Sequence, residues 1–242
     1  MKLSPRERDR YDRQMMIEGF GEEGQLKLKQ ARVLVAGVGG LGSPSSLYLA
    51  AAGVGYIRLV DGDVAEVSNL NRQVLHWDKD VGREKAESAA EKLRQLNPEI
   101  EVDAVVRQIT EGSVLELAAG CDLIVDAMDN FPTRYLLNRA AIEKGIPFFH
   151  AGIYGASGVI TTIIPRQTAC LRCIFPGPPP PAKFPVIGVA PGVMGCLQAM
   201  EVIKYIVGLG ELLTNRLLTF DELSLEFREV SIRKRPGCPD CG

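Results

Sequence analysis

The sequence predicts an α/β fold of the Rossmann-like kind, a mostly parallel sheet flanked by helices and ending in antiparallel strands. Residues 33–36 form a short apolar run that breaks into Gly37-x-Gly39-x-x-Gly42 and then enters a helix-forming stretch. Apolar runs and helical stretches go on alternating as far as residue 150, as parallel strands joined by crossover helices require. Beyond residue 157 the alternation stops, leaving β-branched segments with no helices between neighbouring pairs.

A chain of 242 residues with 46% hydrophobic residues has enough apolar side chain for one continuous core. We expect a single unit over 1–242: an N-terminal arm over about 1–30, a nucleotide-binding core over about 31–165, and a region over about 166–242 with cysteine pairs and a crossing loop. With 28 basic against 30 acidic residues, the formal charge of -2 gives no field to draw in nucleic acid or a membrane surface. The first residues are charged and lack the apolar core of a signal peptide, and no apolar run reaches spanning length, so a cytoplasmic protein is expected.

The glycine turn is the organising stretch. Its first glycine permits a tight turn, the next lets a phosphate approach the main chain, and the last lets the helix pack against the strand. Amides at the helix N-terminus and the positive end of its dipole favour an anion there. Ahead of it, residues 6–30 are polar and amphipathic. They fit an exposed helix packed on the domain edge, or an arm carrying Arg13 into a neighbouring subunit, and the residues alone favour the first.

A helix over 43–53 ending at glycine and a strand over 56–60 follow, and the strand closes on Asp61. A carboxylate there is placed to accept ribose hydroxyls, although a loop aspartate capping a turn has the same sequence. The polar loop from Asp61 and Asp63 through Ser68, Asn69, Asn71, Arg72 and Gln73 is longer than a dinucleotide enzyme usually has. His76 and Trp77 read as packing residues. Lys85 falls in the first turn of a helix over 83–96, where a cation opposes the helix dipole. Such a placement points to a functional role, since Arg72 and Lys85 together suit a polyphosphate.

Strands over 100–106 and 123–126 flank a short helix over 114–119. The second strand runs into Asp126-Ala127-Met128-Asp129-Asn130, at the carboxyl edge where such sheets collect ligands. Asp129 suits Mg²⁺ bridging phosphates, or an N-cap ahead of Pro132. A helix over 133–144, strands over 146–150 and 158–164, a proline-rich crossing loop over 175–185, a helix over 192–209 and strands over 217–220 and 227–232 complete the chain. Met194, Leu197, Met200, Ile203 and Ile206 read as a core stripe on that last helix.

Of six cysteines, Cys170, Cys173, Cys238 and Cys241 form two Cys-x-x-Cys pairs suited to tetrahedral, structural Zn²⁺, with redox pairing within each motif as the competing reading. Cys121, in an apolar strand, and Cys196, on a helix face, read as core residues.

As an ordered set, Arg10-Tyr11-Asp12-Arg13-Gln14, the glycine turn, Asp61-x-Asp63, Ser68-Asn69-Leu70-Asn71-Arg72-Gln73, Gly82-x-x-Lys85, Asp126-x-x-Asp129-Asn130 and the cysteine pairs resemble the ubiquitin-activating-enzyme-like family, in its HesA/MoeB/ThiF branch. The resemblance covers the chain from about residue 10 to the last cysteine. It implies a homodimer that uses ATP and Mg²⁺ to adenylate the C-terminal glycine of a small ubiquitin-like sulfur carrier ending in Gly-Gly, for molybdopterin or thiamine synthesis. By the same resemblance Arg13 reaches the partner subunit's ATP, which reverses the preference stated for the arm. Arg72, Lys85 and Asp129 with Mg²⁺ then act on the phosphates, and Asp61 holds the ribose. Gly37, Gly39, Gly40, Gly42, Asp63, Ser68, Asn69 and Asn130 line the nucleotide site. Family members often carry a cysteine in the loop after the first cysteine pair; residues 178–189 hold none, so adenylation alone, with sulfur from a separate protein, is expected. A nicotinamide-dependent oxidoreductase would leave the 68–73 loop and both cysteine pairs without purpose, and a non-catalytic carrier-binding scaffold would not need Arg72, Lys85 and Asp129.

Overall fold

The computed structural model describes residues 2–178 and 185–242. In chain order the elements are α1 (Pro5–Met15), α2 (Gly21–Gln30), β1 (Arg32–Ala36), α3 (Gly42–Ala52), β2 (Tyr56–Val60), α4 (Lys85–Leu96), β3 (Glu101–Val105), α5 (Val114–Leu117), β4 (Leu123–Asp126), α6 (Phe131–Lys144), β5 (Phe148–Tyr154), β6 (Ser157–Ile163), α7 (Leu171–Ile174), α8 (Val189–Val207), β7 (Arg216–Asp221) and β8 (Glu226–Ser231).

The strands form one sheet in the order β3-β2-β1-β4-β5-β6-β7-β8. From β3 to β5 all pairings are parallel, and from β5 to β8 all are antiparallel. Side-chain alternation along the parallel strands fills both faces. Val33, Val35, Ile57, Leu59, Val125 and Phe149 meet α2, α3, α4 and α8 on one side. Leu34, Ala36, Val60, Ile124 and Phe148 meet α5, α6 and α7 on the other. Burial on both faces explains why residues 33–36 and 123–125 read as continuous apolar runs.

This strand order places a topological switch point between β1 and β4. The chain leaves β1 toward β2 and β3, then returns to add β4 on the other side, so the loops after β1 and β4 diverge from neighbouring strand ends. Ala36 is in register with Val60 on one side and Asp126 on the other. The glycine turn, Asp61 and the Asp126-to-Asn130 loop therefore emerge side by side.

Several elements depart from the sequence reading for physical reasons. The fifth strand begins at Phe148, after Pro147, which has no N–H for the ladder, and it continues to Tyr154. There a two-residue turn with Gly155 at φ +64° sends it back as β6. Helix α4 starts at Lys85 rather than residue 83, because Glu84 bridges Val64 and the Ala65 amide donates to the Arg83 carbonyl at 2.8 Å. Met200 is not a core residue: it is 54% exposed, and Gln198 and Glu201 occupy the buried side of α8. Trp77 is half exposed, with the Lys79 and Lys92 ammonium groups 4.9 and 4.8 Å from its ring centre. Cys121 is buried as expected, yet lies in the turn before β4 rather than in a strand. Residues 179–184 of the proline-rich crossing loop lie outside the described residues.

Candidate functional site

The glycine turn is close-packed because nothing larger fits. A Cβ on Gly37, at φ +90°, would sit 2.7 Å from the Ala127 carbonyl oxygen, and one on Gly42 would sit 2.0 Å from the Gly37 carbonyl oxygen. These contacts fix α3 against β1 and bring the turn against the start of the Asp126-to-Asn130 loop. Asp61 closes the other side: its Oδ2 accepts the Val38 amide at 2.8 Å and its Oδ1 the Asp63 amide at 2.9 Å. Burial raises the Asp61 pKa above the ordinary carboxylate value, against the opposing pull of those amides and of Lys85. Asp61 thus caps its own loop, and its oxygens still stand at the carboxyl edge of the sheet.

Lys85 is nearly buried, at 7% exposure, and its Nζ reaches Asp63 Oδ2 at 3.3 Å. Asp63, exposed at the rim, also accepts Gln108 Nε2 at 3.2 Å. The 68–73 loop lies across the glycine turn. A Cβ on Gly40 would be 3.6 Å from Arg72 Cγ, and one on Gly39 would be 3.5 Å from Gln73 Nε2. Arg72 donates through Nη1 to the Ser68 carbonyl and to Asn71 Oδ1, each at 2.9 Å. Ser68 Oγ donates to Glu66 Oε2 at 3.1 Å, and Asn69 Oδ1 accepts the Glu66 amide at 3.2 Å, so both help fold the loop.

On the β4 side, Asn130 and not Asp129 caps α6: Asn130 Oδ1 accepts the Thr133 amide at 3.0 Å. Asp129 is exposed, with Asn130 Nδ2 3.3 Å from its Oδ1. The capping alternative for Asp129 is thereby removed. Arg13 lies apart on the exposed side of α1, while Tyr11 of the same helix is buried and accepts Asn97 Nδ2 at 2.8 Å.

Far along the chain, the four paired cysteines come together. Cys170 Sγ lies 3.9 Å from Cys173 Sγ and 3.6 Å from Cys238 Sγ, and Cys173 Sγ lies 3.5 Å from Cys241 Sγ. All four sulfurs fall within 4.8 Å of one another. Tetrahedral thiolates at a zinc–sulfur distance of about 2.3 Å stand about 3.8 Å apart, so the donor set fits that ion. Burial pushes the Cys170 thiol up, with the Cys241 thiol adding to it. Against its own burial, Cys238 is brought down to about 7 by the Asp240 and Cys241 amides and neighbouring sulfurs. The tail is tied to the protein body as well, Asn138 Nδ2 donating to Asp240 Oδ2 at 2.8 Å.

The sequence profile of the ThiF family matches residues 11–240, nearly the whole of this arrangement. The chain belongs to the ThiF family. Among its curated ThiF-like relatives, the SAMP-activating enzyme E1 of Haloferax volcanii is 47% identical over 100% of this chain and 92% of that protein. The sulfur carrier protein adenylyltransferase of Thermus thermophilus is 45% identical, covering 100% of this chain and 93% of that one. Of solved structures, E. coli MccB with ATP superposes with a TM-score of 0.83 at 28% identity, covering 91% of this chain and 69% of that one.

The structure sets Arg72 and Gln73 against the glycine turn, Asp61 on the Val38 amide and Lys85 on Asp63, with Asp129 and Asn130 following the adjoining strand β4. Sequence reasoning passed over Gln73, only 6% exposed beside Gly39, whose Oε1 is buried without a partner among the described residues. It also passed over the fully buried His150 and Asp126. The polar run through residue 73 was a signal for the first; the pairing of the other two depends on a strand register no local pattern reveals. No described helix is long and apolar enough to cross a membrane.

Proposed function

We propose that the chain uses ATP to adenylate the C-terminal carboxylate of a small ubiquitin-like sulfur carrier ending in Gly-Gly, releasing pyrophosphate, in molybdopterin or thiamine synthesis. The observation that carries this reading is the placement of the glycine turn, Arg72 and Lys85 at the switch point, with the exposed, non-capping carboxylate of Asp129 on the adjoining loop.

A peptide C-terminal carboxylate has a pKa of about 3.5 and is ionised at neutral pH, so its attack on the α-phosphorus needs no general base. One carboxylate-oxygen-to-phosphorus bond forms, and the bond from that phosphorus to the bridging oxygen breaks. The electron pair leaves with pyrophosphate. What the protein must do is hold two anions together and stabilise the departing charge, which falls to Arg72, Lys85 and the amides of the turn from Gly37 to Gly42. Asp61 accepts the ribose hydroxyls; Asp63 orients Lys85; Ser68, Asn69 and Asn130 shape the pocket wall. Asp129 suits Mg²⁺, which when bound neutralises phosphate charge. Zn²⁺ on Cys170, Cys173, Cys238 and Cys241 is structural, since four thiolates leave no open position. Arg13 completes the site of the other subunit in a homodimer. Sulfur comes from a separate donor protein: burial raises the thiol pKa of both remaining cysteines, Cys121 and Cys196, making them poor nucleophiles. The reactants belong to the cytoplasm.

Pyrophosphate–ATP exchange, run with candidate carriers ending in Gly-Gly one at a time, tests this reading. Exchange dependent on one carrier and lost in Asp129→Ala is expected, with the circular dichroism spectrum unchanged. No exchange with any carrier would overturn it. A shift in nicotinamide absorbance with small alcohols or acids would favour the oxidoreductase instead.

A further inference from the structure

The loop before α4 and α4 itself bury a row of polar groups that the adenylation chemistry does not use. Asp80, Ser88, His76 and Lys92 are 0%, 0%, 2% and 7% exposed. Lys92 Nζ stands 2.6 Å from Asp80 Oδ2, 2.9 Å from Ser88 Oγ and 3.2 Å from the Ser88 carbonyl, so all three of its protons have acceptors. Ser88 Oγ lies 3.1 Å from His76 Nδ1, and His76 Nε2 lies 2.9 Å from the carbonyl of Val38 inside the glycine turn.

The direction of every bond in this row follows from its ends. A carbonyl only accepts, so His76 Nε2 carries the proton. An ammonium only donates, so Ser88 Oγ accepts from Lys92 and spends its own proton on His76 Nδ1. Burial holds His76 below its ordinary pKa, aided by the charges of Lys92 and Lys85 and opposed by the Val38 carbonyl and Asp61, which favours the neutral ring that the bond from Ser88 Oγ requires. One tautomer satisfies all these partners.

We propose that His76 is a positioning residue of the nucleotide site: fixed as its Nε2–H tautomer by the row from Asp80 through Lys92 and Ser88, it sets the Val38–Gly39 peptide plane and so aims the Gly39 amide. The peptide is trans, so its carbonyl and N–H point in opposite directions. Drawing the Val38 carbonyl inward, onto His76 Nε2 at 2.9 Å and the longer bond from Ser43 Oγ at 3.3 Å, turns the Gly39 N–H outward, to the side where an anion over the turn would lie. Asp61 holds the preceding peptide through the Val38 amide, which leaves the plane little freedom to rotate. A histidine that merely filled the core would need neither a proton on a particular nitrogen nor a polar row behind it. The ligand of that amide is a nucleotide polyphosphate, and this assignment rests on the ATP-binding reading given above.

Two measurements on the full chain decide it. The protein has only two histidines, so a two-bond ¹⁵N–¹H correlation spectrum assigns both with a single His76→Gln control. His76 is expected as the Nε2–H form at pH 7; the Nδ1–H form would overturn the proposal without touching the adenylation reading. ATP titration calorimetry follows on the wild type, His76→Gln and His76→Phe. Glutamine carries an amide N–H at the place of Nε2 and is expected to keep ATP affinity within about threefold, whereas phenylalanine loses about tenfold, the worth of one hydrogen bond. Equal losses in both variants, or none in a folded His76→Phe, would make His76 a core residue only. A wild type that binds no ATP would bring down the adenylation reading and this one with it.

Discussion

His150 Nδ1 lies 2.7 Å from Asp126 Oδ2, and both side chains are fully buried at the end of the parallel strands. Asp126 Oδ1 accepts the Met128 amide at 3.1 Å, and Arg134 donates to the Met128 carbonyl through Nε at 3.1 Å and Nη2 at 2.5 Å. Gln198 Nε2 donates to the Asp126 carbonyl at 2.8 Å. The loop that carries Asp129 and Asn130 is therefore anchored on the carboxylate three residues before it. Asparagine at 126 loses the charge and one of two acceptor oxygens, so either the Met128 amide meets its NH₂ group or His150 must move its proton from Nδ1 to Nε2, which has no partner among the described residues. We expect Asp126→Asn to destabilise the protein by about 3 kcal/mol in urea unfolding, the cost of leaving buried donors unpaired. A loss below about 0.5 kcal/mol would mean that the loop holds its shape without this residue.

Both histidines carry the same sign in the pH dependence of stability. Burial lowers the pKa of His76 and of His150 relative to the unfolded chain, against the opposing pull of Val38 on one and of Asp126 on the other. The unfolded state then takes up more protons as pH falls through the ordinary histidine range, so the stability these groups leave intact above about 6.5 is lost below it. Each contributes a slope of up to about 1.4 kcal/mol per pH unit. Urea melts at pH 7.5, 6.5 and 5.5 should show declining stability, and His76→Gln should flatten the decline. A melt midpoint independent of pH over that interval would contradict the burial of both rings.

How much of this was legible beforehand depended on where each signal lies. Strands β2 and β4 were readable to the residue, because their largely apolar runs, broken only by Arg58 in β2, end abruptly at Asp61 and Asp126. The glycine turn was readable because its spacing is itself the steric requirement. What escaped was decided by partners distant in sequence. His76 answers to Val38, 38 positions away, and His150 to Asp126 across a strand pair. Met200 looked apolar and periodic, but it lies 600° around the helix from Met194, a third of a turn off the buried side, at about 100° per residue. The choice between Asp129 and Asn130 as the cap turned on one residue of helix start, the kind of boundary that local pattern fixes least.

The sulfur cluster makes a prediction of its own. If zinc joins Cys170 and Cys173 to Cys238 and Cys241, mass spectrometry of the native chain should find one zinc per chain, and Cys170→Ser should lose it. Metal removal also frees the stretch around Arg233, Lys234 and Arg235, which is largely exposed already and leads directly into Cys238. Trypsin should then cut there faster in the chelated protein than in the zinc-loaded one. Equal cleavage rates would mean that the hydrogen bond from Asn138 and the ion pair of Arg172 with Asp240 secure the tail by themselves.

Arg13 is exposed on α1, while Tyr11 and Glu7 of the same helix are buried against the protein body. In a homodimer whose arms cross, each site uses its own Lys85 and the partner subunit's arginine. Arg13→Ala and Lys85→Met should each lose most pyrophosphate exchange alone. After unfolding and refolding as a mixture, half the dimers contain one of each variant. In those dimers one site has both defects and the other has neither, so about one quarter of wild-type exchange should return. If the arm served its own subunit, every site in the mixture would carry one defect and no activity would reappear. The same experiment at increasing excess of either variant should reduce the recovered exchange symmetrically, because only mixed dimers contain an intact site.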